Sequence, residues 1–152
     1  MAKRKKQGKA KNVKKGLIVD NITFKSELER DAYLCLKKCG LNPSYEPVTY
    51  TLIDGFKPTV TYYEGEKNKP KSTILNLKLR KLTPIKYTPD FEFDYNNKHV
   101  VIETKGWEND AFPMRFKLFR KLMESKEQPY IIAKIFTIGQ LETFITLLKN
   151  YF

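Results

Sequence analysis

Between Tyr87 and Trp107 the chain reads YTPDFEFDYNNKHVVIETKGW, two strand-like runs separated by Asn96-Asn97. Asn tolerates the positive φ that both central residues of a two-residue hairpin turn require, so the pair predicts a tight turn and fixes the register on either side. Opposed residues then carry numbers that sum to 193, which sets Asp90 across from Glu103. Direct cross-strand neighbours have Cβ atoms about 5 Å apart and side chains on one face. Period-two alternation puts Lys105 on that face as well, and sends Phe91, Phe93, Val100 and Ile102 to the other.

Two like charges in direct opposition cost up to about 1 kcal/mol on an exposed sheet, and more when desolvated. A divalent cation shared by both carboxylates would reverse that repulsion, and hard oxygen ligands select Mg2+ or Mn2+ over zinc or copper. Lys105 beside the pair could orient or help deprotonate a water, and could balance charge developing on a phosphate under attack. This is an inventory for phosphodiester hydrolysis. An exposed hairpin face on which Lys105 pairs with Glu103 in a weak surface salt bridge fits the same residues equally well.

The charge balance favours a polyanionic partner. The 152 residues carry 29 basic and 17 acidic side chains, a net +12, which suits nucleic acid or an anionic membrane surface. Eight of the basic residues and none of the acidic ones fall in MAKRKKQGKAKNVKK, leaving 21 against 17 for the remainder. Residues 1–15 therefore read as a basic flexible tail, with too little apolar content to offset the entropy of ordering, and residues 16–152 as one domain. The tail serves either as a solubilising arm or as a phosphate contact. A second run, Lys67 to Lys86, holds seven Lys or Arg and no acid. No stretch is apolar for long enough to span a bilayer, and no signal-peptide pattern follows the basic start, so a cytoplasmic location is expected. Cys35 and Cys39, with one His in the whole chain, argue for free thiols.

Elsewhere the pattern is mixed. VDNITF reads as a short hairpin or turn. SELERDAYLCLKKCG reads as a helix capped by Ser26, striped by Leu28, Ala32, Leu34, Cys35 and Leu36, and stopped at Gly40. YEPVTYTLI, IKYTPDFEFDY, HVVIETK and PYIIAKIF read as strands, and FPMRFKLFRKLME and QLETFITLLKNY as helices. Residues 58–82 fit either a strand or a helix. This order predicts an α/β fold with a mixed β-sheet flanked by helices.

Pro89-Asp90, a spacer, then Glu103-Thr104-Lys105 resembles the signature of the PD-(D/E)XK nuclease superfamily. In the context YTPDF…VIETKGW, with FKSELER in the first helix, it is similar to the phage endonuclease I family of Holliday junction resolvases and to a family of small phage proteins placed in that superfamily. The resemblance implies a restriction-endonuclease-like core and a Mg2+- or Mn2+-dependent endodeoxyribonuclease acting on branched DNA. It further implies a homodimer, because resolving a junction takes two coordinated cuts, and the cytoplasm of a phage host as the setting. Asp90 and Glu103 would be metal ligands with the Thr104 carbonyl, and Lys105 would act on the attacking water. Glu29 matches the first-helix acid of the family as a further metal-site residue. It also has capping-box spacing from Ser26. The spacer and the basic segment depart from endonuclease I, which leaves open a nicking or transposon-end-type nuclease and a non-catalytic nucleic-acid-binding module.

Lys67, Lys69, Lys71, Lys78, Arg80 and Lys81 are candidate phosphate contacts. So are Arg115, Lys117, Arg120 and Lys121 on the helix after the ExK strand, where ordinary solvation fits equally well. His99 falls on the carboxylate face and reads as a surface residue. Trp107 reads as a packing residue ahead of a base-stacking wedge.

Overall fold

The structure, a computed structural model, describes residues 17–67 and 69–152. The tail expected over residues 1–15 lies outside the described residues. Ile18–Val19 (β1) and Ile22–Thr23 (β2) form an antiparallel hairpin turned by Asp20 and Asn21, both at positive φ. Helix α1 spans Glu27–Lys38. The Ser26 hydroxyl accepts from the Glu29 amide and satisfies one of the orphan donors at the helix start. Past its end Gly40 takes φ +79°, a conformation only glycine adopts freely. The buried face is Glu29, Ala32, Tyr33 and Leu36, an i, i+3, i+4, i+7 stripe. Leu34, expected on that stripe, is exposed. It sits two residues from both Ala32 and Leu36 and so projects to the far side of the helix.

The remaining elements are β3 (Ser44–Tyr45), β4 (Tyr50–Ile53), β5 (Tyr63–Gly65), β6 (Leu75–Leu77), β7 (Ile85–Tyr87), β8 (Phe91–Tyr95), β9 (Lys98–Thr104), α2 (Phe112–Glu124), β10 (Tyr130–Ile135) and α3 (Ile138–Tyr151). Four strands make the central sheet in the order β10-β9-β8-β3, with β10 parallel to β9 and the other pairs antiparallel. The chain is a mixed α/β protein, its mixed sheet flanked by helices, as the element order predicts.

Two expected strands are each broken in two. YEPVTYTLI divides into β3 and β4 because Glu46 takes φ +45° and Pro47 follows it, a combination that no continuous strand accommodates. IKYTPDFEFDY divides at Thr88-Pro89-Asp90: β7 pairs with β4 in a separate ribbon, and β8 enters the central sheet. The undecided stretch 58–82 contains β5 and β6, paired antiparallel as a projecting two-stranded arm. Strand alternation rather than helical spacing wins there. At the foot of the arm Gly55 lies against the Leu82 backbone, and a Cβ on it would sit 2.8 Å from the Leu82 carbonyl oxygen. A side chain there would part the two legs.

The central sheet is covered on both faces. Phe91, Phe93, Val100, Ile102, Ala133 and Ile135 pack on one side against Ala32, Tyr33 and Leu36 of α1 and Leu141, Ile145 and Leu148 of α3. On the other side Val101 packs with Tyr87, Phe112, Phe119 and Met123, and Tyr50 and Leu52 of β4 join them. The β4–β7 ribbon and α2 therefore lie on the face that carries the carboxylates. The core stops short of one end of that face, and a cleft opens there.

Candidate active site

The β8–β9 turn has Asn96 at φ +46° and Asn97 at +62°, and the ladder runs Tyr95↔Lys98, Asp94↔His99, Phe93↔Val100, Glu92↔Val101, Phe91↔Ile102. Every pair sums to 193. The ladder stops at Phe91↔Ile102, and the same register carried one residue further sets Asp90 against Glu103 just beyond it. They line a cleft of about 340 Å³ together with Glu29, Lys105, Tyr87 and Arg115.

Both acids are nearly inaccessible, Asp90 at 7% and Glu103 at 2% exposure. Glu103 accepts a 2.6 Å hydrogen bond from the Tyr87 hydroxyl at Oε2 and lies 2.5 Å from Lys105 Nζ at Oε1. Lys105 Nζ also stands 4.2 Å from the Phe112 ring centroid. A cation over an aromatic face is held electrostatically, so the ammonium is fixed between ring and carboxylate. Asp90 Oδ2 accepts from the Thr104 amide at 2.7 Å and the Thr104 hydroxyl at 2.6 Å. No donor among the described residues reaches Asp90 Oδ1. Burial pushes the Asp90 carboxyl up, the Glu103 charge pushes it further, the two Thr104 hydrogen bonds pull it back, and Glu29 adds to the rise. The result is a pKa of about 7. The Tyr87 phenol is held well above its ordinary value by burial and by the Glu103 charge.

Glu29 performs the capping role that its spacing allows. Its amide donates to Ser26 Oγ at 3.1 Å and its Oε1 accepts from the same hydroxyl at 3.0 Å. Its Oε2 accepts from the Lys25 amide at 2.8 Å and the Tyr45 hydroxyl at 2.6 Å. It is also a wall of the cleft, and its charge is felt by Asp90.

Among the described residues no three Asp, Glu, His or Cys side chains form a cluster of the kind that holds a metal ion. Magnesium keeps several waters and is commonly bound by one or two carboxylates, so the donor set that fits it is a small one. The free Asp90 Oδ1 and the Glu103 carboxylate meet that requirement, and two acids in mutual repulsion leave a charge deficit for a cation to fill.

Of the sequence-derived residues, Glu29, Asp90, Glu103, Lys105 and Arg115 line the cleft, and Thr104 donates to Asp90 from its floor. Lys67, Lys69, Lys71, Lys78, Arg80 and Lys81 sit on or beside the arm, and Lys117 and Lys121 face solvent on α2. None of these eight lines the cleft. Trp107 does not pack: it is 89% exposed at the cleft mouth. Tyr87, Tyr45, Lys25 and Lys86 were not anticipated. Lys25 and Glu46 are paired at the rim.

His99 is a second departure from expectation. It is half-buried, with Nε2 2.8 Å from Glu92 Oε2 and Nδ1 2.7 Å from Asp94 Oδ1. Glu92, 3% exposed, also accepts from the Tyr50 hydroxyl at 2.9 Å. Burial of the ring works against protonation, but the hydrogen bonds and charges of Glu92 and Asp94 outweigh it and raise the His99 pKa. Both ring nitrogens donate only in the imidazolium form.

These shifts fix two pH dependences. An unfolded aspartate titrates near pH 4, so the folded chain retains a proton on Asp90 that the unfolded chain gives up, and stability falls as pH rises from about 4 to about 7. Asp90→Asn keeps an acceptor for Thr104 and removes this burden. Urea unfolding should find it more stable than wild type by up to about 4 kcal/mol at about pH 8, with the gain shrinking at about pH 5. A destabilised variant at both pH values would contradict the account. His99 stabilises fully below its unfolded pKa of about 6.5, and the contribution is lost as pH rises through the raised folded value. His99→Ala should cost about 2 kcal/mol at about pH 6 and distinctly less at about pH 9. A pH-independent loss would exclude the bridging imidazolium.

No helix among the described residues is long and apolar enough to cross a membrane. No curated protein and no solved structure matches the chain. A family model described as a protein of unknown function, DUF1064, matches residues 9–136. That span holds the whole cleft and the central sheet through β10, and the chain belongs to the DUF1064 family.

Proposed function

We propose that the chain is a metal-dependent endodeoxyribonuclease of PD-(D/E)XK type that cleaves phosphodiester bonds in branched DNA. The observation that carries this reading is the meeting of Asp90 and Glu103 in one cleft, with Lys105 Nζ 2.5 Å from Glu103 and the Asp90 carboxyl raised to about 7. A perturbed acid beside a fixed cation, in a concavity, is the physical mark of a reactive site.

A Mg2+ or Mn2+ ion held by Asp90 and Glu103 would supply the charge that activates a water and polarises the phosphate. The remaining contributions come from the chain itself. Tyr87 and Thr104 each donate to one acid, which fixes the carboxylates in place before substrate arrives. Lys105 is positioned to hold the water or to donate to a phosphate oxygen as the water oxygen bonds to phosphorus and the P–O bond to the leaving strand breaks. Lys86 and Arg115 on the cleft wall draw the phosphate backbone in. Trp107 offers a free indole face to a base at the cleft mouth.

One feature favours a non-catalytic nucleic-acid-binding module instead: Asp90, Glu103 and Glu29 each have donors within the chain. Cleavage separates the two readings. With Mg2+ present, a four-way junction and a supercoiled plasmid should be cut, and a chelator should stop the reaction. Asp90→Ala should abolish cleavage without loss of binding, and Lys105→Ala should slow it about a hundredfold or more. Binding without metal-dependent cleavage by the wild-type chain would establish the module.

A further inference from the structure

The arm that carries β5 and β6 encloses a groove of about 590 Å³ that lies outside the cleft. Its wall and floor include Phe56, Tyr62 and Leu82, and its cations are Lys57, Lys78 and Arg80. Phe56 is 53% and Tyr62 56% exposed, and neither ring stacks on another aromatic side chain among the described residues. Lys78 lies 3.9 Å from Glu64, the one acid in the groove lining, while Lys57 and Arg80 make no ion pair among the described residues. Free aromatic faces among three cations, two of them without an ion pair among the described residues, form a stacking platform within an electrostatic funnel.

From this groove we propose a binding site for a single-stranded segment of DNA, with unpaired bases on Tyr62 and Phe56 and phosphates on Lys57, Lys78 and Arg80. The inference rests on the nucleic-acid part of the reading above and deepens it by naming an unpaired strand as part of the substrate. A duplex presents its phosphates outward and keeps its base faces stacked within, so it can use the cations but not the rings. The arm fits this division of labour. Strand pairing sets Tyr63 with Leu77 and Gly65 with Leu75 on one side, while Glu64, Lys78 and Tyr62 turn to the groove. The groove is also tied to the cleft. Both adjoin the β4–β7 ribbon, which continues through the Phe56↔Leu82 bridge, and Leu82 lies five positions before Tyr87, a separation of at most about 17 Å. A strand leaving the cleft unpaired would pass along this ribbon.

Fluorescence anisotropy in a chelator tests the site without cleavage, using labelled oligo-dT and a blunt duplex of equal length. The wild-type chain should bind both. Tyr62→Ala should weaken oligo-dT binding roughly tenfold and leave the duplex unchanged, and Tyr62→Phe should restore the wild-type affinity. Replacing Lys57, Lys78 and Arg80 together by Ala should reduce the log–log salt slope for oligo-dT by about 2. The proposal is overturned if Tyr62→Ala binds oligo-dT as wild type does, if it loses both ligands equally, or if sedimentation shows Tyr62 closing a dimer that the substitution dissociates. Absence of cleavage with Tyr62-dependent oligo-dT binding would sink the nuclease and leave the groove standing. Cleavage with Tyr62-independent binding would do the reverse.

Discussion

Two carboxylates that repel each other are held in opposition at the end of a buried hairpin, and the rest of the cleft is arranged around that opposition. The Asn96-Asn97 turn imposes it, since a shift of one residue in register would turn Phe91 and Phe93 outward and bring Asp90 and Glu92 into the core. The apolar face of β8 and β9 thus locks the acids in place. Packing of Phe91, Val100 and Ile102 against α1 and α3 works against the charge repulsion and prevails.

The neighbours of the pair are placed to limit its cost. Thr104 gives both its amide and its hydroxyl to one Asp90 oxygen, Tyr87 reaches Glu103 from the separate β4–β7 ribbon, and Lys105 closes on Glu103 under the Phe112 ring. Even so Asp90 remains raised, because desolvation and the charges of Glu103 and Glu29 outweigh what Thr104 returns. An acid left at this disadvantage lowers stability above about pH 4, a cost that the proposed cation would relieve. The same sheet face carries a second acid cluster beside the pair, where His99 bridges Glu92 and Asp94 and Tyr50 ties Glu92 to β4, both through Oε2, while Glu92 Oε1 is buried with no hydrogen-bond partner among the described residues.

What could be read from the chain alone follows the range of the forces involved. Register, helix limits and the acid pair were legible because turn chemistry, capping and alternation act over a few residues. The helix over Phe112–Glu124 and the sheet face of Val100 and Ile102 are of this sort. The His99 bridge had a signal as well, since Asp94 and His99 sum to 193 in the same register that sets Asp90 against Glu103. The partnership of Tyr87 with Glu103 had none. It depends on the chain turning at Thr88-Pro89-Asp90 from one sheet into another, which strand propensity does not encode. Trp107 was misjudged for a similar reason: an aromatic next to a strand usually packs, but here the strand ends at Thr104 and the loop carries the indole past the edge of the core.

Asp90 and Glu103 are proposed to hold a divalent cation together. Electron paramagnetic resonance of Mn2+ titrated into the folded chain measures this directly, with no nucleic acid and no reaction. The account predicts saturable binding that Mg2+ displaces and that disappears in both Asp90→Asn and Glu103→Gln. Equal Mn2+ binding by all three chains, or none by the wild type, would contradict it.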